Sequence, residues 1–194
     1  FVGLGAPVLA DDATIDAIGR PLPDKEVRVL DDDDREVPVG ATGQLCIRGG
    51  FMAGYWGRPE KTAEATRNGW LHTGDLGSMD ADGRVRLRGR LAERVVVAGD
   101  VWYPRDVEEA VSLHPSVRQA ALVGVPDAAL GQRPVLYVTL LDGAAAGADE
   151  LVTTATTALG RDLGVVVVRI ADELPMTPTG KIAKAELAAM AAAG

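Results

Sequence analysis

Up to about residue 90 this chain is cut into short apolar runs by Gly- and Asp-rich turns; beyond that point the runs alternate with stretches of helical composition. This change of punctuation limits the fold more than any single residue does. Short strands joined by tight turns pair locally and antiparallel, whereas alternating strands and helices build a sheet with helices packed on it. The expectation is an α+β protein: a small β-rich, distorted barrel-like subdomain over residues 1–90, a hinge at 91–92 and a compact α+β domain over 93–194.

In the first part, Val27-Arg28-Val29-Leu30 reads as a strand and Gln44–Arg48, by its alternation, as a second. Between them Asp31–Arg35 reads as a solvated acidic turn on a bare surface hairpin. A calcium loop needs ligands at alternate positions and a Gly, and this run offers only adjacency. Glu60–Arg67 has helical composition, with Pro59 suited to its first turn and Asn68-Gly69 to its end. Asp80-Ala81-Asp82-Gly83 is turn chemistry before a strand at Val85–Arg88. Residues 1–18 are rich in Gly and Ala and show no clear periodicity.

In the second part, Val95–Ala98 reads as a short strand and Pro104 opens a helix. Asp106, Glu108 and Glu109 in its first turns suit the helix dipole, and Val107, Ala110 and Val111 follow the spacing of a buried face. Ala120–Val125 and Pro134–Leu141 read as strands, Gly143–Gly147 as a loop and Asp149–Arg161 as a helix. Val165–Ile170 reads as a buried strand and Lys184–Ala193 as a terminal Ala-rich helix.

Composition excludes several function classes. With a net charge of −8 and no cluster of Lys and Arg, no nucleic-acid partner is expected. Aromatic residues make up 4% of the chain, so Val, Leu and Ala must build the core. The single cysteine, Cys46, excludes an internal disulfide and a multi-cysteine metal site, and reads as an inert buried thiol. No apolar run approaches the roughly 18–20 residues of a membrane span, and no signal peptide is visible, so the reading is cytoplasmic with no membrane span. The chain opens at Phe1 inside an apolar segment, as expected of a piece of a longer or processed polypeptide.

Three places could carry chemistry. In Leu174-Pro175-Met176-Thr177-Pro178-Thr179-Gly180-Lys181, Pro178 and Gly180 have the spacing of a type I turn, so Lys181 would stand on a stiff base. Taken alone, the bland reading is a solvated lysine at a helix start. A phosphate-binding loop of the Gly-x-x-x-x-Gly-Lys-[Ser/Thr] kind is excluded, because Ile182 follows the lysine. In Gly69-Trp70-Leu71-His72-Thr73-Gly74-Asp75, the carboxylate after a Gly could accept two hydrogen bonds from a vicinal diol, or simply close an Asx turn. His72 and His114 read as packing or hydrogen-bonding residues. Arg90 could bond ribose or phosphate oxygens with its planar fork, and Gly99 could let a ligand chain approach the backbone.

In order and spacing these pieces resemble the adenylate-forming ligase superfamily of acyl-CoA synthetases, peptide-synthetase adenylation domains and luciferases. Gly19-Arg20-Pro21-Leu22-Pro23, Gly43-Gln44-Leu45, Gly54-Tyr55-Trp56 and Gly69–Asp75 look like the late part of the large domain. Gly89–Glu108 looks like the domain crossover and Pro175–Lys181 like the end of the small domain. The resemblance implies that Asp75 binds the ribose of ATP and AMP, that Arg90 assists there, and that Lys181 bridges the α-phosphate and a substrate carboxylate. It implies ATP, Mg²⁺ and CoA as cofactors, Ala98, Gly99 and Leu130 as a CoA-binding surface, and Ala92 as the hinge. No metal-binding residues are expected in the chain itself. Tyr103-Pro104-Arg105-Asp106-Val107-Glu108 looks more like acyl-CoA synthetases than peptide-synthetase domains.

Departures accompany the likeness. The hinge position is Ala92 instead of Asp or Lys, Asp162-Leu163-Gly164-Val165 lacks a basic residue for CoA phosphates, and a position sometimes held by Trp is Leu130. The Ser/Thr/Gly-rich phosphate loop and the Tyr-Gly-x-Thr-Glu segment of the family do not occur in the sequence. The leading expectation is therefore the C-terminal portion of an acyl-CoA synthetase-type ligase, partnered by an N-terminal portion, a carboxylic acid and CoA, and inactive by itself. Its rivals are a ligase portion that transfers to a carrier protein or another acceptor, and a non-catalytic fragment that binds a nucleotide or a partner.

Overall fold

The computed structural model describes residues 4–5 and 17–193, and the chain divides into two compact units, Phe1–Ala92 and Glu93–Gly194. Most of the aperiodic stretch 1–18 lies outside the described residues.

In the first unit, β1 (Leu4–Gly5), β2 (Ala17–Pro21), β3 (Glu26–Leu30), β4 (Gly43–Arg48), β5 (Leu71–Met79) and β6 (Val85–Arg90) form one antiparallel sheet, ordered β1-β2-β6-β5-β4-β3. Alternation decides which side chains go inward. Val27, Val29, Leu45, Ile47 and Val85 gather in one core cluster, while Cys46, one residue out of phase, joins Leu30 and Trp70 in another. The Trp70 ring also lies against two guanidinium groups, Arg28 at 4.9 Å and Arg48 at 4.6 Å from its centroid. Helix α1 (Pro59–Ala65) starts at its proline, and a 3₁₀ turn at Arg67–Gly69 leads into β5.

The acidic turn is not the bare surface hairpin expected from the sequence. Asp31 does what a turn aspartate does, accepting the N–H groups of Asp33 and Arg35 at 2.9 Å each. Asp34, however, sits at φ 60° and accepts hydrogen bonds from Arg67 Nε (3.0 Å), Arg67 Nη2 (2.8 Å) and Asn68 Nδ2 (2.9 Å). Arg67 beside it holds its carboxyl below the usual carboxylate range. The turn thus pins the segment that enters β5.

The second unit is built on a long hairpin, β9 (Val117–Asp127) and β10 (Gly131–Leu140). Strand β11 (Val167–Ile170) pairs parallel with β10, and the short hairpin β7 (Val95–Val97) and β8 (Asp100–Trp102) joins it at Gly131↔Val97. Helices α2 (Pro104–Val111), α3 (Ala148–Leu159) and α4 (Lys184–Ala193) pack on this sheet. Leu122, Leu136 and Val138 meet Val107, Val111, Leu151 and Ala155 in the larger core. The alternate residues Ala121, Val123, Val135 and Tyr137 meet Leu174, Leu187 and Ala191 in a second.

Two expectations need correction here. The strand at Val165–Ile170 is shorter and is not buried: β11 stands at the edge of the sheet order, and while Val168 packs on the larger core, Val167 and Ile170 remain exposed. The second concerns β8, which is not among the expected strands. Ala98 (φ 52°) and Gly99 (φ 91°) turn the chain so tightly that Val95 faces Trp102. The class is the expected α+β, with an antiparallel sheet in the first unit and a mostly antiparallel sheet in the second.

Candidate functional site

Asp75 lies within β5. Gly74 before it takes φ 72°, a conformation that a side chain resists, and the Asp75 N–H donates to Thr73 Oγ1 (3.0 Å), which itself donates to the Leu45 carbonyl (2.8 Å). A register shift between Leu76 and Gly77 places Asp75 directly opposite Arg90, the last residue of β6. Their side chains pair at 3.0 Å, with Asp75 18% and Arg90 56% exposed. Both border a cleft of about 250 Å³ whose apolar wall includes Val27, Leu45 and Ile47, with Tyr55 and Met52 beside it. The structure therefore brings two of the sequence-derived candidates together at the mouth of one cavity.

His72 also lines this cleft, but its chemistry is turned inward. Its Nδ1 lies 2.9 Å from Gln44 Oε1 and 3.3 Å from Cys46 Sγ. Burial and the Arg67 charge lower its pKa. Burial, with the Asp34 charge, pushes the Cys46 thiol up to about 12. Cys46 is therefore not poised as a nucleophile, while His72 Nε2 is buried without a hydrogen-bond partner among the described residues. His114 is likewise a hydrogen-bonding residue, with Nε2 3.0 Å from Glu150 and Nδ1 accepting the Ser116 N–H.

In the second unit Lys181 ends a tight hairpin. The Gly180 N–H donates to the Thr177 carbonyl (2.9 Å), placing Pro178 and Gly180 where a type I turn wants them, and the Thr177 N–H donates to the Lys181 carbonyl (2.6 Å). Met176 bridges Ile182 at the hairpin base. The Lys181 side chain is exposed, and among the described residues no hydrogen bond or ion pair holds it. Three further candidates meet elsewhere in this unit. Ala98 and Gly99 form the exposed β7–β8 turn, and the Ala98 N–H donates to the Leu130 carbonyl at 2.7 Å. Asp127 secures that loop by accepting the Ala129 and Leu130 N–H groups. Ala92 is exposed, within a 3₁₀ turn at Leu91–Glu93. Among the described residues no three His, Cys, Asp or Glu side chains stand together as a metal site.

Sequence reasoning missed Lys184. Its Nζ lies 2.8 Å from Glu93 and 2.8 Å from Glu108. Burial opposes its charge, but the two carboxylates outweigh burial and raise its pKa. The only signal was a lysine at a helix start where an acidic residue would suit the dipole better.

Comparison with known proteins sorts the fold first. The amide bond synthetase McbA from Marinactinospora thermotolerans superposes with a TM-score of 0.84 at 39% identity, covering 92% of this chain and 36% of that one. The description "AMP-binding enzyme C-terminal domain" matches residues 106–181 and "AMP-binding enzyme" matches residues 2–56. This chain accordingly belongs to the adenylate-forming, AMP-binding enzyme superfamily, of which it represents the C-terminal portion. Among its relatives, a long-chain-fatty-acid–CoA ligase of Escherichia coli O6:H1 is 40% identical over 88% of this chain. The fatty acid–[acyl-carrier-protein] ligase ScoC of Streptomyces coeruleorubidus is 37% identical over 88%. The chain spans only 30% and 33% of those two relatives.

Proposed function

We propose that this chain is the C-terminal portion of an ATP-dependent ligase that activates a carboxylic acid as its acyl adenylate and transfers the acyl group to CoA. The observation that carries the proposal is Lys181, an exposed cation with no partner among the described residues, fixed by a hydrogen-bonded hairpin in a chain of the adenylate-forming superfamily. When a carboxylate oxygen attacks the α-phosphorus and pyrophosphate departs, two anions are forced together. A preorganised ammonium stabilises the charge that develops between them.

Asp75 is the proposed ribose ligand. Its carboxylate can accept hydrogen bonds from both ribose hydroxyls, and Arg90, 3.0 Å away, orients it while retaining donors for the nucleotide. Mg²⁺ would sit on the phosphate oxygens. Rotation at Ala92 would follow adenylation, and the exposed Ala98–Gly99 turn with Leu130 would face the incoming thiol.

The missing phosphate loop makes the 194-residue chain by itself inactive in this reading. Pyrophosphate release by that chain from ATP and a panel of carboxylic acids would overturn this point. In the full-length protein the same assay should be positive, and thioester should form with free CoA. Transfer only to a phosphopantetheinyl protein would favour the second reading, a carrier-protein ligase. That reading is supported by the likeness to ScoC and by the lack of a basic residue in Asp162–Val165.

A further inference from the structure

We infer that Lys184 is a positioning residue for Lys181, its ammonium clamping the Lys181 hairpin to the first residue of the second unit and to α2. The inference rests on the role proposed for Lys181. Lys184 is the first residue of α4 and only 22% exposed. Its two partners come from separate segments: Glu93 opens the unit, and Glu108 lies on α2. Glu108 Oε1 also accepts the Leu122 N–H of β9 at 2.8 Å. One ammonium therefore ties together four pieces of chain.

The Lys181 hairpin hangs directly from this knot. Ala183, the residue before Lys184, donates its N–H to the Pro175 carbonyl at 2.8 Å and so closes the hairpin base. Apolar packing reaches the hairpin at its base, where Ile182 lies partly buried against the core of Leu174 and Leu187, but not at the first residue of α4. Helix α4 buries Leu187 and Ala191, both beyond its first residues. Its start, which carries the hairpin, is held by the ion cluster. Two carboxylates facing one another across a lost ammonium would repel, so the clamp fails as a unit when the lysine goes.

Amide hydrogen exchange of the 194-residue chain tests this without any activity. In Lys184→Met the amides of Thr177, Gly180 and Ala183 should exchange at least about tenfold faster while those of α3 stay unchanged. Lys184→Arg should restore protection, and Glu93→Gln, which leaves Glu108 in place, should give a smaller rise at the same three amides. Unchanged exchange at the hairpin, or an equal rise in α3, would overturn the inference by making Lys184 idle or a general stabiliser. If Lys184→Met does not fold, Glu93→Gln decides: no selective rise at the hairpin refutes it. In the full-length protein, Lys184→Met should lower adenylate formation and Lys184→Arg rescue it. Full adenylation by Lys181→Ala would sink the functional reading alone, since the exchange result stands apart from it.

Discussion

Replacing Asp75 by Ala separates a ligand carboxylate from a structural one. The structure gives both magnitudes. As a stabilising pair, Asp75 and Arg90 are 3.0 Å apart, but the arginine is 56% exposed, so solvent screening limits the loss of folding stability to about 1 kcal/mol or less. The Thr73–Asp75 bond uses the backbone N–H and survives the substitution. As a ribose ligand, the carboxylate would give up two charge-assisted hydrogen bonds, a net loss of about 2–4 kcal/mol, or roughly thirtyfold to nearly a thousandfold in nucleotide affinity. The assay is titration of AMP into the full-length wild-type and D75A proteins, with urea unfolding of both. The expected outcome is a large fall in affinity with a small shift in the unfolding midpoint. An unchanged affinity would refute the ribose assignment. A stability loss well above 1 kcal/mol would refute the screening argument.

Other outcomes follow from the same geometry. Lys181→Ala should slow adenylate formation by about a hundred- to a thousandfold and leave transfer from a supplied acyl adenylate far less affected; equal losses in both steps would make the lysine structural. Cys46, its thiol pushed up to about 12, should resist thiol reagents at pH 8 until the chain is unfolded, which a timed labelling experiment reads directly. Asp34 has a folded pKa lowered by Arg67, so its contribution is present above the unfolded carboxylate pKa and is lost as pH falls through the lowered folded value. Asp34→Asn should flatten the acid limb of the stability curve below about pH 4, and by no more than about 1 kcal/mol because the Arg67 side chain is still 39% exposed and so screened by solvent.

Local chemistry was legible in the sequence and distant pairing was not. Pro59 and Pro104 do open helices, and the Thr177–Gly180 turn closes as its proline and glycine require. The Val27–Leu30 and Gln44–Arg48 alternations do mark strands. What failed depended on partners far along the chain. An apolar run such as Val165–Ile170 suits an enclosed strand or an edge strand equally well, and only the sheet order decides between them. Asp34 looked solvated because Arg67 is 33 residues away, and Lys184 looked ordinary because Glu93 is 91 residues away. Asp75 and Arg90 could be singled out, but not their pairing. That pairing depends on the shift at Leu76–Gly77; a straight continuation from Gly77↔Leu87 would set Asp75 against Gly89.

The β9–β10 hairpin has a consequence for how the second unit forms. It is a local structure, closed across Asp127↔Gly131, yet its two faces supply residues to both cores of the unit. Little chain entropy is lost in closing so short a connection, and once closed it offers a template to helices on either side. The expected nucleus is therefore the hairpin, with the C-terminal helix α4 condensing on it afterwards. Truncations such as Leu136→Ala should chiefly slow refolding, and Leu187→Ala should chiefly speed unfolding, in a chevron analysis. The segment that carries Lys181 would then be the last part of its unit to fold and the first to leave.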